Sequence, residues 1–154
     1  MAAGAYIFPN KAKRNIADAT AVLNGTTTNY RLALVGSGWT PDNSDTGNEV
    51  WADVSANEIA NGNGYTTGGA SVTATLSLSS GMKFTVSAAS WTASGGSIPA
   101  WRRAVLYYLG TLNGKVNPIV GHFLGDGTNI DVPATTTGNT LTVTSNASGV
   151  ATIT

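Results

Sequence analysis

There is no cysteine in this chain, which excludes disulfide staples and thiolate metal centres. Charge is nearly as scarce. Only 10% of the residues are charged, against about 25% in an ordinary soluble domain. The eight basic and eight acidic residues cancel, so there is no electrostatic device for holding nucleic acid or a membrane surface. No apolar run reaches the length of a membrane-spanning helix. The positive charges near the N-terminus (Lys11, Lys13, Arg14) follow the short apolar piece, where a secretory leader needs them to precede it. The expectation is a chain that folds in the cytosol of the cell that makes it. With so few charges, much of its surface is expected to be covered in use, by copies of itself or by a larger assembly.

What the chain has in quantity is glycine, 19 residues in 154, with threonine, serine, asparagine and alanine. That composition favours strands and tight turns over helices, and the length fits one domain with a core of its own. The organising stretch is Asn57–Gly69, NEIANGNGYTTGG, in which four glycines and three asparagines surround one aromatic, Tyr65. Glycine and asparagine tolerate positive φ, so this is a chain reversal. Before it, Ala5–Phe8 reads as an edge strand or an arm. Residues 10–23 fit a helix (Ala12, Ile16, Ala19, Leu23, capped by Asn10 and Gly25) and a strand equally well. Tyr30–Val35 is a strand with Tyr30, Leu32 and Leu34 on one face. Residues 39–53 are a polar excursion carrying Trp39 and Trp51, with one helical turn near Glu49–Ser55. After residue 71 the pattern is β: Val72, Ala74 and Leu76, then Phe84, Val86 and Ala88 on one face leading to Trp91, then AWRRAVLYYL as the central strand. Arg102 and Arg103 face opposite sides there, so one of them has to snorkel or find a carboxylate. Asn113-Gly114 marks a hairpin, Pro118–Leu124 returns as a strand, and the segments around Leu141–Thr144 and Val150–Ile153 form a closing hairpin. The whole predicts an all-β fold, an antiparallel β-sandwich or jelly-roll-like barrel with a long Gly/Asn-rich loop and room for one short helix. Residues 1–28 are an N-terminal arm or first element, and 29–154 the sandwich, one domain overall.

The residues point away from catalytic chemistry. The single histidine, His122, lies on a predicted strand with no nucleophile elbow in the chain, and reads as a structural or interface histidine. Asp42, Ser44, Thr46, Gly47 and Asp53 keep calcium-loop spacing, but Ser and Thr stand where carboxylates belong, so an Asx-rich loop is the better reading. Gly36-Ser37-Gly38 lacks the third glycine of a dinucleotide fingerprint, Pro41 standing there, and there is no phosphate-loop lysine. Glu49, Asp53 and Glu58 are near in sequence without an aromatic cleft, and read as loop carboxylates. No catalytic, cofactor or metal residue is assigned. Trp91 and Trp101 read as core. Trp39 and Trp51 read as loop aromatics that need cover from another surface, a protein interface ahead of a sugar.

The segments YRLALVGS, NEIANGNGYTTGG, FTVSAASWTASGGSIPAWRRAVLYYLGT, NPIVGHFLGDGTN and LTVTSNASGVATI, in this order, resemble a group of small structural proteins of tailed bacteriophages. The resemblance covers the chain from about Asn29 onward, and the glycine segment is its specific part. Tyr108-Leu109 stands where the group often has Tyr-Asp. Leu124-Gly125 replaces Phe-Gly, and His122 stands where Asp is common, so these positions are not expected to be catalytic. The resemblance implies a virion protein with a β-sandwich fold, on the head as a decoration (cement) protein or on the tail and fibres. The leading expectation is a non-enzymatic capsid decoration protein, located on the capsid surface of virions assembled in the host bacterial cytoplasm. It would bind the major capsid protein as a homo-oligomer, trimer or dimer, without nucleic acid or membrane. Tyr6, Phe8, Lys11, Lys13, Arg14, Trp39 and Trp51 are its expected contact residues. The alternative is a receptor- or glycan-binding module of the tail or fibre, which needs exposed tryptophans in a concave patch.

Overall fold

The computed structural model of the chain describes residues 4–17, 27–44, 47–77, 82–112, 114–145 and 151–153. These residues hold one helix, α1 (Asn10–Ala17), two single-turn 3-10 segments (Trp51–Asp53 and Ser55–Asn57) and ten strands. The strands are β1 (Thr27–Val35), β2 (Ala70–Ser77), β3 (Met82–Val86), β4 (Ala89–Thr92), β5 (Arg103–Tyr108), β6 (Thr111–Leu112), β7 (Lys115–Val116), β8 (Ile119–Leu124), β9 (Thr140–Val143) and β10 (Ala151–Ile153). The fold is all-β. One antiparallel sheet runs β10-β3-β2-β1-β5-β8, with two small sheets, β4-β9 and β6-β7.

Alternation decides which face each residue takes. Tyr30, Leu32 and Leu34 of β1, Ala104 and Leu106 of β5, and Val120 and Phe123 of β8 join Val72, Ala74, Phe84 and Val86 in the main core. The β4-β9 ribbon closes that face with Ala89, Trp91 and Val143, giving the two packed layers of a sandwich. The opposite face of the large sheet is buried as well. Ala33, Val35, Val105, Tyr107 and Ile119 form a second core with Trp39, Trp51 and Val54. The unbroken apolar run of β5 follows from this: its four middle residues are buried on alternate faces, as in a sheet covered on both sides.

Three expectations are corrected here. The polar excursion over residues 39–53 is not a free loop. Its two tryptophans find their cover inside the chain, Trp51 stacked on Tyr107 at 4.7 Å and 9° and Trp39 edge-on to His122 at 5.2 Å. The run from Phe84 to Trp91 is not one strand, because Ser87 and Ala88 are both exposed and the buried face resumes at Ala89. That two-residue break flips the parity and sends β4 into a different sheet. The last two strands do not form a hairpin, since β9 pairs with β4 and β10 with β3. Ala19, Leu23 and Gly25, the far half of the 10–23 reading, lie outside the described residues, as does Thr46. The near half is helical, with Ala12 buried.

The N-terminal arm lies along the edge of β8. Gly4 N–H donates to Leu124 O (2.8 Å), Ile7 N–H to His122 O (2.7 Å) and His122 N–H to Ile7 O (3.1 Å). Tyr6 and Phe8 pack against the main core. A sheet edge that would otherwise present unpaired backbone is thereby covered.

Candidate functional site: a buried latch and an arm-side surface

The glycine segment is built from the inside out around Tyr65, which is 2% exposed. Its hydroxyl donates to Glu58 Oε1 (2.7 Å) and accepts from Leu34 N–H of β1 (2.9 Å). The same Glu58 oxygen accepts Gly68 N–H (2.7 Å), and Tyr107 donates to Gly68 O (2.8 Å). The ring packs 5.5 Å from Trp91. One tyrosine thus ties the reversal to the large sheet and to the β4-β9 ribbon. Burial raises the Glu58 carboxyl above its ordinary range, opposed by the hydrogen bonds from Tyr65 and the Gly68 and Gly69 backbone. Burial likewise holds the Tyr65 and Tyr107 hydroxyls protonated far into the alkaline range, with Glu58 adding to both. The tyrosine–carboxylate pair resembles proton-transfer chemistry in composition only. The Tyr65 hydroxyl and Glu58 Oε1 are held by intrachain partners, and the arrangement acts as a structural latch.

This yields a direct expectation. Tyr65→Phe leaves the buried Leu34 N–H without its acceptor and takes from Glu58 its hydroxyl donor, leaving the Gly68 N–H, and is expected to destabilise the chain by about 2 kcal/mol. Urea unfolding measures it. A loss under about 0.5 kcal/mol, within the range of neutral surface changes, would show that the latch does not hold the reversal.

The three loop carboxylates are separated by what they bind. Asp53 Oδ2 accepts from Glu49 N–H (2.8 Å) and Val50 N–H (3.0 Å), closing the start of the first 3-10 turn. Glu58 belongs to the latch. Glu49 meets Lys115 Nζ at 2.9 Å and Lys11 Nζ at 3.4 Å. Burial raises the Glu49 carboxyl, but the two lysines outweigh it and hold the group below its usual range. Asp42 Oδ1 accepts from Ser44 N–H (3.0 Å), an Asx turn. Among the described residues there is no group of three His, Cys, Asp or Glu able to hold a metal ion. Arg102, one of the adjacent pair, finds its carboxylate in Asp131 at 2.7 Å, and Arg103 reaches Asn129 Oδ1 at 3.2 Å.

His122 is 1% exposed. Its Nε2 lies 3.0 Å from Asn43 Oδ1, and its Nδ1 has no protein partner. Burial, and secondarily the Arg103 charge, push its pKa down to about 4. It is a neutral core histidine at the junction of β8, the arm and the tryptophan segment.

Of the residues expected to contact a partner, the structure brings Lys11 to Glu49 and Lys115, on one surface with the β6-β7 hairpin. Beside them lies a shallow groove of about 410 Å³, lined by Glu49, Trp51, Lys115, Val116 and neighbouring residues. Val116 is 61% exposed there, an accessible apolar residue that pattern reading passed over inside a two-residue strand. Lys13 is exposed on α1. Arg14 is on the same helix, its side chain outside the described residues. Tyr6 and Phe8 are half-buried on the chain's own β8. Trp39 and Trp51 are buried, at 6% and 9% exposure, and are removed from the contact set, because the sheet's second face already covers them. Comparison with family models, with characterised proteins and with solved structures finds no match for this chain.

Proposed function

We propose that the chain is a structural protein of a tailed-bacteriophage virion, a decoration protein seated on the major capsid protein shell. The ordered run of segments from Asn29 onward carries this reading, with NEIANGNGYTTGG as its specific member. The physical character of the surface supports it. Charge is low, and large apolar side chains stand open at Ile7 (36%), Leu109 (44%), Val116 (61%) and Ile130 (62%). A surface so poor in charge suits cover by a partner better than free solution. The contact face is the arm side: Lys11, Lys13, Lys115 and Val116, with the edge of the arm at Ile7. All four tryptophans are buried, so stacking on a glycan, which needs exposed rings, has no carrier among them.

Mechanistically, a protein that binds only the assembled lattice stabilises that lattice by linkage. Repetition on a symmetric shell, as a dimer or trimer, adds avidity without new contacts. Virions assembled in the host cytoplasm would carry the chain in near-stoichiometric ratio to the capsid protein. Quantitative mass spectrometry of purified particles tests this. A simple ratio is the expected result. A few copies per particle would move the chain to the tail or fibres, and absence from the particle would overturn the proposal.

A further inference from the structure

A second cavity lies where the two layers of the sandwich part, at the end of β8 and the outer side of β9. Its volume is about 180 Å³, and its lining is Trp101, Phe123, Gly125, Val132 and the run Leu141–Thr144. Trp101, Phe123, Val132 and Val143 are each at least nine-tenths buried. The walls are anchored before any ligand arrives. Trp101 and Val132 exchange backbone hydrogen bonds in both directions (3.2 and 2.7 Å). Phe123 is fixed in β8, and Val143 pairs with Ala89 in β4. Three consecutive residues of β9, Leu141–Val143, and Thr144 just after it line the space, although alternate residues of a strand point to opposite faces. The cavity therefore meets β9 along its edge. That edge is the one turned away from β4, where the backbone of β9 has no strand partner among the described residues.

We propose that this cavity is a binding site for a small neutral aromatic molecule, one ring or a fused pair, with a single hydrogen-bonding group. The size follows from the volume: an enclosed apolar cavity of about 150 Å³ accepts benzene, and this one, open on the side of the exposed Thr142 and Thr144, has room for a ring of that size. The ring is selected by the aromatic and aliphatic lining of Trp101, Phe123, Val132 and Val143. The single polar group is selected by the open backbone edge at Thr142–Thr144. No ionisable side chain lines the space, so a charged analogue would be desolvated without a partner. The site is independent of the virion reading and stands or falls separately from it.

Phenol and indole are the probes, titrated into the intact chain and followed by amide and indole N–H chemical shifts. Saturable binding is expected, with a dissociation constant on the order of 0.1–1 mM, as suits ligands of this size. The shifts should centre on Trp101, Gly125 and residues 141–144. Benzoate should bind at least ten-fold more weakly than phenol. Leu141→Trp, which fills the space from β9, should weaken both probes ten-fold or more. Should that variant not fold, the wild-type shift map decides alone. Shifts centred elsewhere, no saturation at the solubility limit, or unchanged affinity in a folded Leu141→Trp would each overturn the proposal.

Discussion

Gly69→Ala is expected to destabilise this chain by about 4 kcal/mol, whereas Gly62→Ala, seven positions earlier in the same reversal, is expected to lose only about 1–2. Both glycines have positive φ, +72° and +115°, so both variants carry the conformational penalty of an L-residue there, roughly 1–2 kcal/mol. They differ in what the new methyl group meets. At Gly62 there is nothing within 4 Å. At Gly69 the methyl overlaps the Leu32 carbonyl and the Ala33 backbone of β1. These are backbone atoms in the middle of the large sheet, unable to rotate away, and moving packed backbone costs a further 1–3 kcal/mol or so. Leu32 and Ala33 pair with β5 on their other side, and Leu32 also with Ala70, so the shift would propagate into both neighbours. Denaturant unfolding of the two variants side by side gives the comparison. Equal stability would show that close approach to β1 is not what requires glycine at 69. The contrast bears on the resemblance too. The paired glycines of NEIANGNGYTTGG are demanded by chain geometry, so the most specific part of the pattern is a requirement of the fold and carries no chemistry of its own.

The same distinction explains what could be read from the chain before its structure. Alternation in Tyr30–Val35, Val72–Ala74 and Phe84–Val86 is a local feature, and it reports strands directly. Pairing is not local. Residues 140–143 and 151–153 are as hairpin-like as any, yet their partners lie in β4 and β3, some fifty to seventy residues back in the chain. Nothing in either segment names that partner. The exposed pair Ser87 and Ala88 could be suspected only once Trp91 is known to be buried beside Ala89. The burial of Trp39 and Trp51 did leave a signal. A strand reading RAVLYY has apolar residues on both faces, and both faces then need cover. Leu106 and Ala104 are answered by the main core, and Val105 and Tyr107 needed a second apolar source. The two tryptophans of the polar excursion were available to supply it. The arm-side surface was legible in Lys11, and Glu49 and Lys115 join it only through the way the chain folds.

Below pH 6.5 the chain is expected to lose stability, by about 3 kcal/mol at pH 4, through His122. The sign follows from the direction of its shift. The folded state holds the imidazole at about 4, while the unfolded chain titrates near 6.5. Between those values the unfolded state takes up a proton that the folded state refuses. Its stabilising contribution is complete above about pH 6.5, falls as the pH drops, and is gone below about 4. A difference of some 2.5 units at 1.36 kcal/mol each sets the magnitude, and the ring is too buried for solvent to screen it. The groups around it make the refusal specific. Arg103 is a like charge, Trp39 presents a ring edge at 5.2 Å, Asn43 faces Nε2, and the backbone of β8 is tied to Ile7 of the arm. Lys11 and Lys13 on α1 are answered elsewhere, at Glu49 and at Asn10. Glu58 works in the opposite sense, because its raised carboxyl favours the folded state as acid is added, so the raw pH profile mixes both. Subtracting a His122→Gln profile from the wild-type profile isolates the histidine. The difference should grow from near zero at pH 4 to a plateau above 6.5, and a flat difference would remove His122 as the source of acid sensitivity. Amide hydrogen exchange adds a spatial test. Because the arm's two-way backbone pairing with β8 is made through this residue, the Ile7 amide should lose protection in acid before the β1 and β5 amides do.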